Sequence, residues 1–379
     1  MIEPNQFEIK FGKFQKHSTN SENTTRFIHA SDIHLGSQQY RNEYRADDFI
    51  RAFEEILELG IINNVDFILL GGDVFTSLEM LPGKLIKIVN ILKNFKNFTN
   101  GSILIIAIEG NHDIRKFSRG IVFERRGQSW LKFLNSLGLI ILLDAVIDAP
   151  PQQMFKLYDF NTKLGGKIQI KNVMIYGTRY IGEKPINFLS KIRKAIVKKN
   201  HLFNILLQHF GIEGQMDNVP GVTLENIQHL RHRVNYLALG HFHKQFILED
   251  WIFNPGSSEA VCSMDNSFKR GVFLVEVSND FEKFVKKIKI IHLINRKYLW
   301  ETIHLDYNFK NKKNIEAYII DKLSSSLKYL NCNTDPSNPQ IPLLYLILKG
   351  KEPSKSCKIN EKELRRKICE TYPILDANI

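Results

Sequence analysis

Short apolar runs alternate with amphipathic stretches along the first three quarters of the chain. The runs are rich in β-branched and aromatic residues and predict buried strands, namely "RFIHA", "DFILL", "SILIIAI", "LIILL", "NVMIYG", "FNILLQ", "NYLALG" and "GVFLVEV". Residues 46–58 and 81–95 instead repeat apolar side chains every three or four positions, which predicts helices with one buried face. Strands that alternate with helices are typical of an α/β fold with parallel strands.

The charge of the chain changes after Val277, where "SND" is a plausible domain boundary. The remaining chain predicts strands at 285–293 and 300–305, a helix at 315–327, a strand in "PLLYLILKG" and a helix at 361–370. These elements span about 100 residues, which is a usual domain size. We therefore predict three segments: a polar N-terminal extension at 1–24, a large α/β domain at 25–280 and a small α+β domain at 281–379.

Polar side chains with metal-binding chemistry follow five of the predicted strands. They lie in "SDIHLG", "GGDVF", "GNHD", "QHFG" and "GHFH", and the residues concerned are Asp32, His34, Asp73, Asn111, His112, His209, His241 and His243. Any one of them alone could be an ordinary turn or capping residue. The carboxyl ends of parallel strands share one edge of a sheet, however, so the five clusters can converge. Carboxylate, imidazole and amide oxygen together suit two divalent metal ions, with Asp73 as the shared ligand.

These five motifs resemble those of the calcineurin-like metallophosphoesterases. The stretches "HLGSQQYRNEYRADDFIRAFEEIL" and "NYLALGHFHKQF…WIFNPGSSEA" further resemble the SbcD-like DNA repair nucleases of the archaeal meiotic-recombination-eleven type. The resemblance implies a four-layer fold, in which two β-sheets lie between helices, and a small DNA-binding capping domain. It also implies Mn²⁺-dependent hydrolysis of DNA in double-strand break repair, as a 3′–5′ exonuclease on duplexes and an endonuclease on single strands.

The resemblance assigns roles to individual residues. One Mn²⁺ ion would be held by Asp32, His34, Asp73 and His243, and a second by Asp73, Asn111, His209 and His241. His112 would lie beside the scissile phosphate as a catalytic residue, and Asp113 would orient it. Relatives commonly carry a histidine three residues after the bridging aspartate, where this chain has Thr76. This difference concerns the positioning of the substrate more than the binding of metal.

The basic charge of the chain is unevenly distributed. The formal net charge is +12, and residues 281–379 hold 19 Lys and Arg against 11 Asp and Glu. A basic surface attracts DNA, although a solvated basic face without a partner is an open alternative. Candidate DNA contacts next to the motifs are Tyr40, Arg41, Arg45, Arg115, Lys116 and Arg179. A capped loop that leads into a helix is an equally open interpretation of "YRNEYR".

No apolar run approaches the ~20 residues that a bilayer-spanning helix requires, and the amino terminus lacks the apolar core of a signal peptide. The four cysteines show no metal spacing, which favours reduced thiols in a cytoplasmic protein. The resemblance implies association with the nucleoid in a prokaryote.

The resemblance also implies partners, namely DNA ends, a second copy of the chain and an ABC-type ATPase with coiled-coil arms. No docking segment for the ATPase is evident after the last predicted helix. The apolar face of 81–95 and the residues around Trp130 are candidates for the dimer surface, or for the subunit's own core. Two alternatives to a repair nuclease are an enzyme that cleaves small phosphodiesters and an inactive DNA-binding subunit.

Overall fold

The computed structural model describes residues 24–114, 128–183, 185–280, 283–305, 312–330, 335–350 and 358–379. The strands are β1 (Thr24–Ala30), β2 (Phe67–Leu70), β3 (Leu104–Ala107), β4 (Ile141–Leu142), β5 (Lys167–Ile170), β6 (Val173–Gly177), β7 (Phe203–His209), β8 (Tyr236–Gly240), β9 (Phe246–Leu248), β10 (Ile252–Asn254), β11 (Val272–Asp280), β12 (Lys283–Ile291), β13 (Tyr298–His304), β14 (Leu343–Lys349) and β15 (Asp376–Asn378). The α-helices are α1 (Glu43–Ile62), α2 (Pro82–Phe98), α3 (Trp130–Ser136), α4 (Pro151–Met154), α5 (Ile186–Ala195), α6 (Leu224–Gln228), α7 (Lys312–Leu327) and α8 (Glu361–Thr371).

Two six-stranded sheets form the centre of the first of two compact units, which contains the described residues before Gln38, Phe49–Val261 and Ser267–Leu293. The first sheet has the order β12-β11-β1-β2-β3-β4, and β1 to β4 run parallel. The second sheet has the order β5-β6-β7-β8-β10-β9, and β6, β7, β8 and β10 run parallel. Each sheet therefore presents the carboxyl ends of several neighbouring strands at one edge.

Both faces of the central strands are buried, which explains their uninterrupted apolar sequences. In β2, Phe67 and Leu69 pack in the core between the two sheets, whereas Ile68 and Leu70 pack in the core that includes α1 and α2. Helices α5 and α6 pack in a third core on the outer face of the second sheet. The predicted four-layer arrangement of helices, two sheets and helices is confirmed.

The predicted boundary at 280–281 is wrong. Strand β12 pairs with β11 along its whole length, from Asp280↔Lys283 to Val272↔Ile291, so it belongs to the first sheet. The first unit therefore extends to Leu293, and the four lysines of β12 contribute their charge there.

The second compact unit contains Gln38–Asp48, Cys262–Asn266 and Ile294–Ile379. Its three strands, β13, β14 and β15, are all parallel and alternate along the chain with α7 and α8. Buried aliphatic residues of the sheet and both helices form a separate core. The predicted small C-terminal domain of strands and helices is therefore present, and its three strands run parallel.

The candidate dimer surface is largely internal. Ile88, Leu92 and Phe95 of α2 are buried in the subunit's own core, as are Leu131 and Leu134 of α3. These residues are therefore part of the core, which was one of the two open interpretations. At the start of α2, apolar side chains remain exposed at Leu81 and Ile86.

Candidate metal centre

The five polar clusters meet, although they come from two sheets rather than from one. Those carrying Asp32, Asp73 and Asn111 follow the parallel neighbours β1, β2 and β3 of the first sheet. His209 ends β7, and His241 follows β8, in the second sheet. A hydrogen bond from His209 Nδ1 to the carbonyl of Gly71 (2.7 Å) joins the two edges.

Two groups of potential metal ligands result from this convergence. The first comprises Asp32, His34 and His243, and the second comprises Asp73, His209 and His241. Within each group, one ligating atom from each residue lies within 4.8 Å of the others.

Several of these residues have strained backbone conformations. Asp32, His34, Asp73 and His241 have φ angles of 50°, 51°, 49° and 88°, in the left-handed region that residues with a Cβ rarely adopt. Each such residue costs about 1–3 kcal/mol, and such strain is concentrated at functional sites. Backbone hydrogen bonds hold the turns in place, for example from Asp32 N to Gly72 O (3.1 Å). The turns are therefore specialised for presenting these side chains.

Two glycines permit the close packing of the groups. A Cβ at Gly110 would lie 2.2 Å from Asp73 Oδ1, and one at Gly72 would lie 2.5 Å from His209 Nδ1. Gly72 also has a φ of 91°. Any larger residue would therefore displace the Asp73 carboxylate or the His209 ring.

The second group has the geometry of an ion-binding site. Because His209 Nδ1 donates to a carbonyl, its Nε2 is directed at Asn111 Oδ1 (3.1 Å) and Asp73 Oδ2 (3.2 Å). His241 Nδ1 also lies 3.0 Å from the same Asn111 oxygen. Two imidazoles, an amide oxygen and a carboxylate thus face one small volume, a set that fits a divalent metal of the Mn²⁺ type.

The first group is also arranged around one point. His34 Nε2 lies 3.2 Å from His243 Nε2, so the two rings direct ligating atoms toward each other. The opposite nitrogen of His34, Nδ1, lies 3.3 Å from the Thr76 hydroxyl. The Asp32 carboxylate accepts hydrogen bonds from Ser31 Oγ (2.6 Å) and His241 N (3.0 Å). Outer contacts of this kind orient metal-ligating side chains.

The electrostatics favour ligating protonation states in most of the site. Burial, reinforced by neighbouring imidazoles, lowers the pKa of His34 to about 3 and that of His241 to about 4, so both rings are neutral at pH 7. Burial also opposes protonation of His209, but the Asp73 carboxylate outweighs it and raises the pKa of His209 to about 9. A cation bound by Asp73 and His209 would therefore displace one proton from this pair.

His112 lies beside both groups without belonging to either. Its backbone N–H donates to Asp73 Oδ1 (2.8 Å), its ring Nδ1 lies 3.0 Å from the Thr76 carbonyl oxygen, and its side chain is exposed. If Nδ1 carries the proton donated to that carbonyl, Nε2 is the atom available to a substrate.

Asp113, which we expected to orient His112, contacts the backbone of the surrounding loops. The buried Asp113 carboxylate accepts hydrogen bonds from the backbone N–H groups of Phe75 (2.8 Å), Gly110 (2.9 Å) and Val74 (3.2 Å). Burial and the charge of Asp73 raise the pKa of Asp113. Asp113 therefore fixes the two loops that carry Asp73 and His112, whereas the ring of His112 is held by the Thr76 carbonyl.

The structure conflicts with the prediction that Arg45 contacts DNA. Arg45 is fully buried, and its guanidinium binds Asp48 (2.6 Å), Gln39 (3.0 Å) and the Tyr298 hydroxyl (3.2 Å). The same Asp48 carboxylate also binds Arg296 (2.6 Å). Arg45 is thus part of a buried ion cluster within the second unit.

The other candidate DNA contacts have varied environments. Arg41 is exposed and Tyr40 is half-buried, and both belong to the second unit. Arg179 is half-buried and forms an ion pair with Asp144 (3.1 Å) in the first unit. Arg115 and Lys116 lie outside the described residues.

Several groups that support the site have no signal of their own in the sequence. They include the carbonyls of Gly71 and Thr76, the hydroxyl of Ser31 and the ring of Tyr180, whose centroid lies 6.0 Å from those of His209 and His241. Tyr180 follows β6, next to β7 in the second sheet. For Tyr180, the only indication in the sequence is its position after β6, a strand that neighbours one with a metal-binding motif.

The chain is similar to several known proteins. The calcineurin-like phosphoesterase family profile matches residues 25–245. A protein named DNA double-strand break repair protein Mre11 from Sulfolobus acidocaldarius is 25% identical over 93% of this chain and 82% of its own length. The protein of the same name from Sulfurisphaera tokodaii is 24% identical over 89% of this chain and 76% of its own length. A dimetal phosphatase structure from Danio rerio aligns with 70% of this chain and 96% of its own, at 11% identity and a TM-score of 0.39.

Among the described residues, no helix has the length and apolar character needed to cross a membrane.

The family profile covers more than half of the chain and includes all seven residues of the two ligand sets. The chain therefore belongs to the calcineurin-like phosphoesterase family.

Proposed function

We propose that this protein is a divalent-metal-dependent nuclease that hydrolyses phosphodiester bonds in DNA during double-strand break repair. The observation that carries the proposal is the convergence of two ligand groups and the exposed His112 at one edge of the two sheets. The relatives named for double-strand break repair, which align with about nine tenths of the chain, support DNA as the substrate.

The proposed ligands divide between two ions. Asp32, His34 and His243 would hold one ion, Asn111, His209 and His241 the other, and Asp73 would serve both. Bound divalent cations would withdraw electron density from the phosphodiester and generate a nucleophile from water near neutral pH. Mn²⁺ suits this mixture of oxygen and nitrogen ligands, and we propose it as the metal.

His112 would act directly on the substrate. Its contacts with Asp73 and Thr76 fix the backbone and Nδ1 of the residue, so Nε2 would meet the phosphoryl group. A proton held at Nε2 would stabilise charge on a phosphoryl oxygen and then pass to the departing sugar oxygen. This role requires an exposed side chain, which His112 has.

The DNA contacts and partners belong to the same proposal. Arg41, Tyr40 and Arg179 remain candidates for contacting the DNA backbone, whereas Arg45 does not. A homodimer and an ABC-type ATPase partner are proposed with it from the resemblance to the repair nucleases, and the exposed Leu81 and Ile86 are candidates for the dimer contact. The 3′–5′ exonuclease and single-strand endonuclease activities are proposed with them.

One assay tests the proposal against its alternatives. The protein is incubated with Mn²⁺ and labelled single- and double-stranded DNA, and in parallel with bis-p-nitrophenyl phosphate. DNA cleavage that is lost in His112→Ala supports the nuclease. Cleavage of the small ester alone would indicate a small-phosphodiester enzyme, and DNA binding without any hydrolysis would indicate an inactive binding subunit.

A further inference from the structure

The three-stranded sheet of the second unit has one open face. Side chains alternate along its strands, and Ile303, Leu344 and Leu346 pack against α7 and α8 in the core. The alternate positions point to the opposite face. We define the open face by its outer rows, which consist of Trp300, Thr302, His304, Tyr345, Ile347 and Lys349.

Stacked aromatic rings occupy one end of the open face. The Trp300 ring stacks on Tyr345, with centroids 4.5 Å apart and an interplanar angle of 26°, and Tyr345 stacks in turn on Tyr298 at 5.9 Å. Tyr40 packs edge-on against Tyr345 at 5.7 Å. Trp300 nevertheless remains 47% exposed. The stack therefore holds a large flat ring in a fixed orientation with much of its surface in solvent.

The open face and the adjoining segment also carry basic side chains. Lys349 and His304 are exposed at the far end of the open face, and Arg41 is exposed next to Tyr40. Tyr40 and Arg41 have φ angles of 60° and 56°, in the left-handed region that residues with a Cβ rarely adopt. The one carboxylate on the described rows of this side of the sheet, Asp376, is buried and ion-paired with Arg365.

We propose that the open face binds an unpaired nucleic-acid strand, with a base stacked on Trp300 and phosphates near Lys349 and Arg41. A fixed, exposed aromatic ring with nearby cations is the arrangement by which proteins bind single strands without sequence preference. Base pairs in the interior of a duplex present only their edges in the grooves, so Trp300 cannot stack on them. The ligand is therefore an unpaired strand. This binding is separate from the metal centre and does not require catalysis.

The test measures binding by the full chain in EDTA, which prevents hydrolysis. Fluorescence anisotropy with labelled oligothymidylate and with a duplex closed at both ends by non-nucleotide linkers is compared for wild type, Trp300→Ala and Trp300→Phe. We expect Trp300→Ala to weaken single-strand binding about 5- to 150-fold and to leave duplex binding unchanged. Trp300→Phe should retain most of the affinity. Tyr329→Ala is the matched control, because Tyr329 is an aromatic residue of the same unit that is 80% exposed and outside the sheet.

Three results would overturn the proposal. One is single-strand affinity that is equal in Trp300→Ala and wild type, and another is an equal loss in Tyr329→Ala. The third is self-association that Trp300→Ala abolishes in ultracentrifugation while strand binding persists, since this would make the face a contact between copies. Circular dichroism and hydrolysis of bis-p-nitrophenyl phosphate verify that each variant is folded. A wild type that binds strands through Trp300 but hydrolyses nothing would refute the proposed nuclease and leave this inference intact.

Discussion

The buried imidazole of His29 should make the protein sensitive to acid. His29 lies within β1, fully buried between the sheets. Its Nδ1 accepts from the Tyr236 hydroxyl (3.0 Å), and its Nε2 donates to the Leu239 carbonyl (3.1 Å). These contacts join β1 to β8, the strands that lead to Asp32 and His241. Protonation of His29 would therefore weaken the core beneath the metal centre.

The magnitude follows from the shift in pKa. Burial lowers the pKa of His29 from 6.5 to about 3, although its hydrogen bond to Leu239 opposes the shift. As the pH falls below the pKa of His29 in the unfolded chain, the unfolded chain gains a proton that the folded protein does not bind. The contribution of His29 to stability is thus complete above its pKa in the unfolded chain and is lost as the pH falls toward its pKa in the folded protein. Between about pH 7 and about pH 5 the loss at this residue is about 2 kcal/mol.

A comparison of variants isolates this contribution from other titrating groups. We expect His29→Met to be less stable than the wild type near neutral pH, because two buried hydrogen bonds are lost. Its deficit in the free energy of unfolding by urea should shrink by about 2 kcal/mol at about pH 5. His201→Gln, which removes an exposed imidazole, is the matched control. A His29→Met deficit that is the same at both pH values would refute the reasoning.

Three further predictions follow from the site and the second unit. His112→Gln should lower kcat for DNA cleavage about a hundred- to ten-thousand-fold. Isothermal titration of this variant with Mn²⁺ should still detect both ions, since His112 is outside both ligand groups; loss of one ion would instead show that His112 is a metal ligand. Thr76→Val removes the hydroxyl next to His34 Nδ1 and should weaken Mn²⁺ binding about 10- to 100-fold, whereas Thr76→Ser should preserve the binding. Equal Mn²⁺ affinities for the two variants would show that the Thr76 hydroxyl does not orient His34. Arg45→Met breaks a buried ion cluster and should destabilise the second unit by about 3–5 kcal/mol. Arg41→Met, at an exposed position, should change the free energy of unfolding by no more than about 0.5 kcal/mol. Similar effects of the two substitutions on urea unfolding would contradict the burial of Arg45.

The position of the site could be predicted because its chemistry lies in short, local patterns. Asp32, Asp73 and Asn111 each follow an apolar strand, and parallel strands bring such ends together. The strand patterns alone, without the family resemblance, could not show that His209 and His241 approach from a second sheet, because the pairing of strands depends on long-range packing. Both arrangements nevertheless bring the five clusters to one place, so the prediction of a shared site did not depend on the number of sheets.

The failures of prediction arose where a residue's partner is distant in the sequence. Arg45 is buried in an ion cluster with Asp48 and Arg296. Arg296 is 248 residues from Asp48 along the chain, so no local pattern reveals the cluster. Strand β12 was assigned to the wrong domain because the boundary was placed at the change in charge after Val277, and its four lysines are compatible with an edge strand of either sheet. The carbonyl of Thr76, which holds His112, could not be predicted, since every residue carries the same backbone group.

The central claim is that the two ligand groups bind a pair of cations bridged by Asp73. Crystals soaked in Mn²⁺ and measured for anomalous scattering test this directly. We expect two peaks about 3.5–4 Å apart, one beside His34 and His243 and the other beside His209 and His241, both contacting Asp73. A single peak, or two peaks that Asp73 does not bridge, would contradict the account.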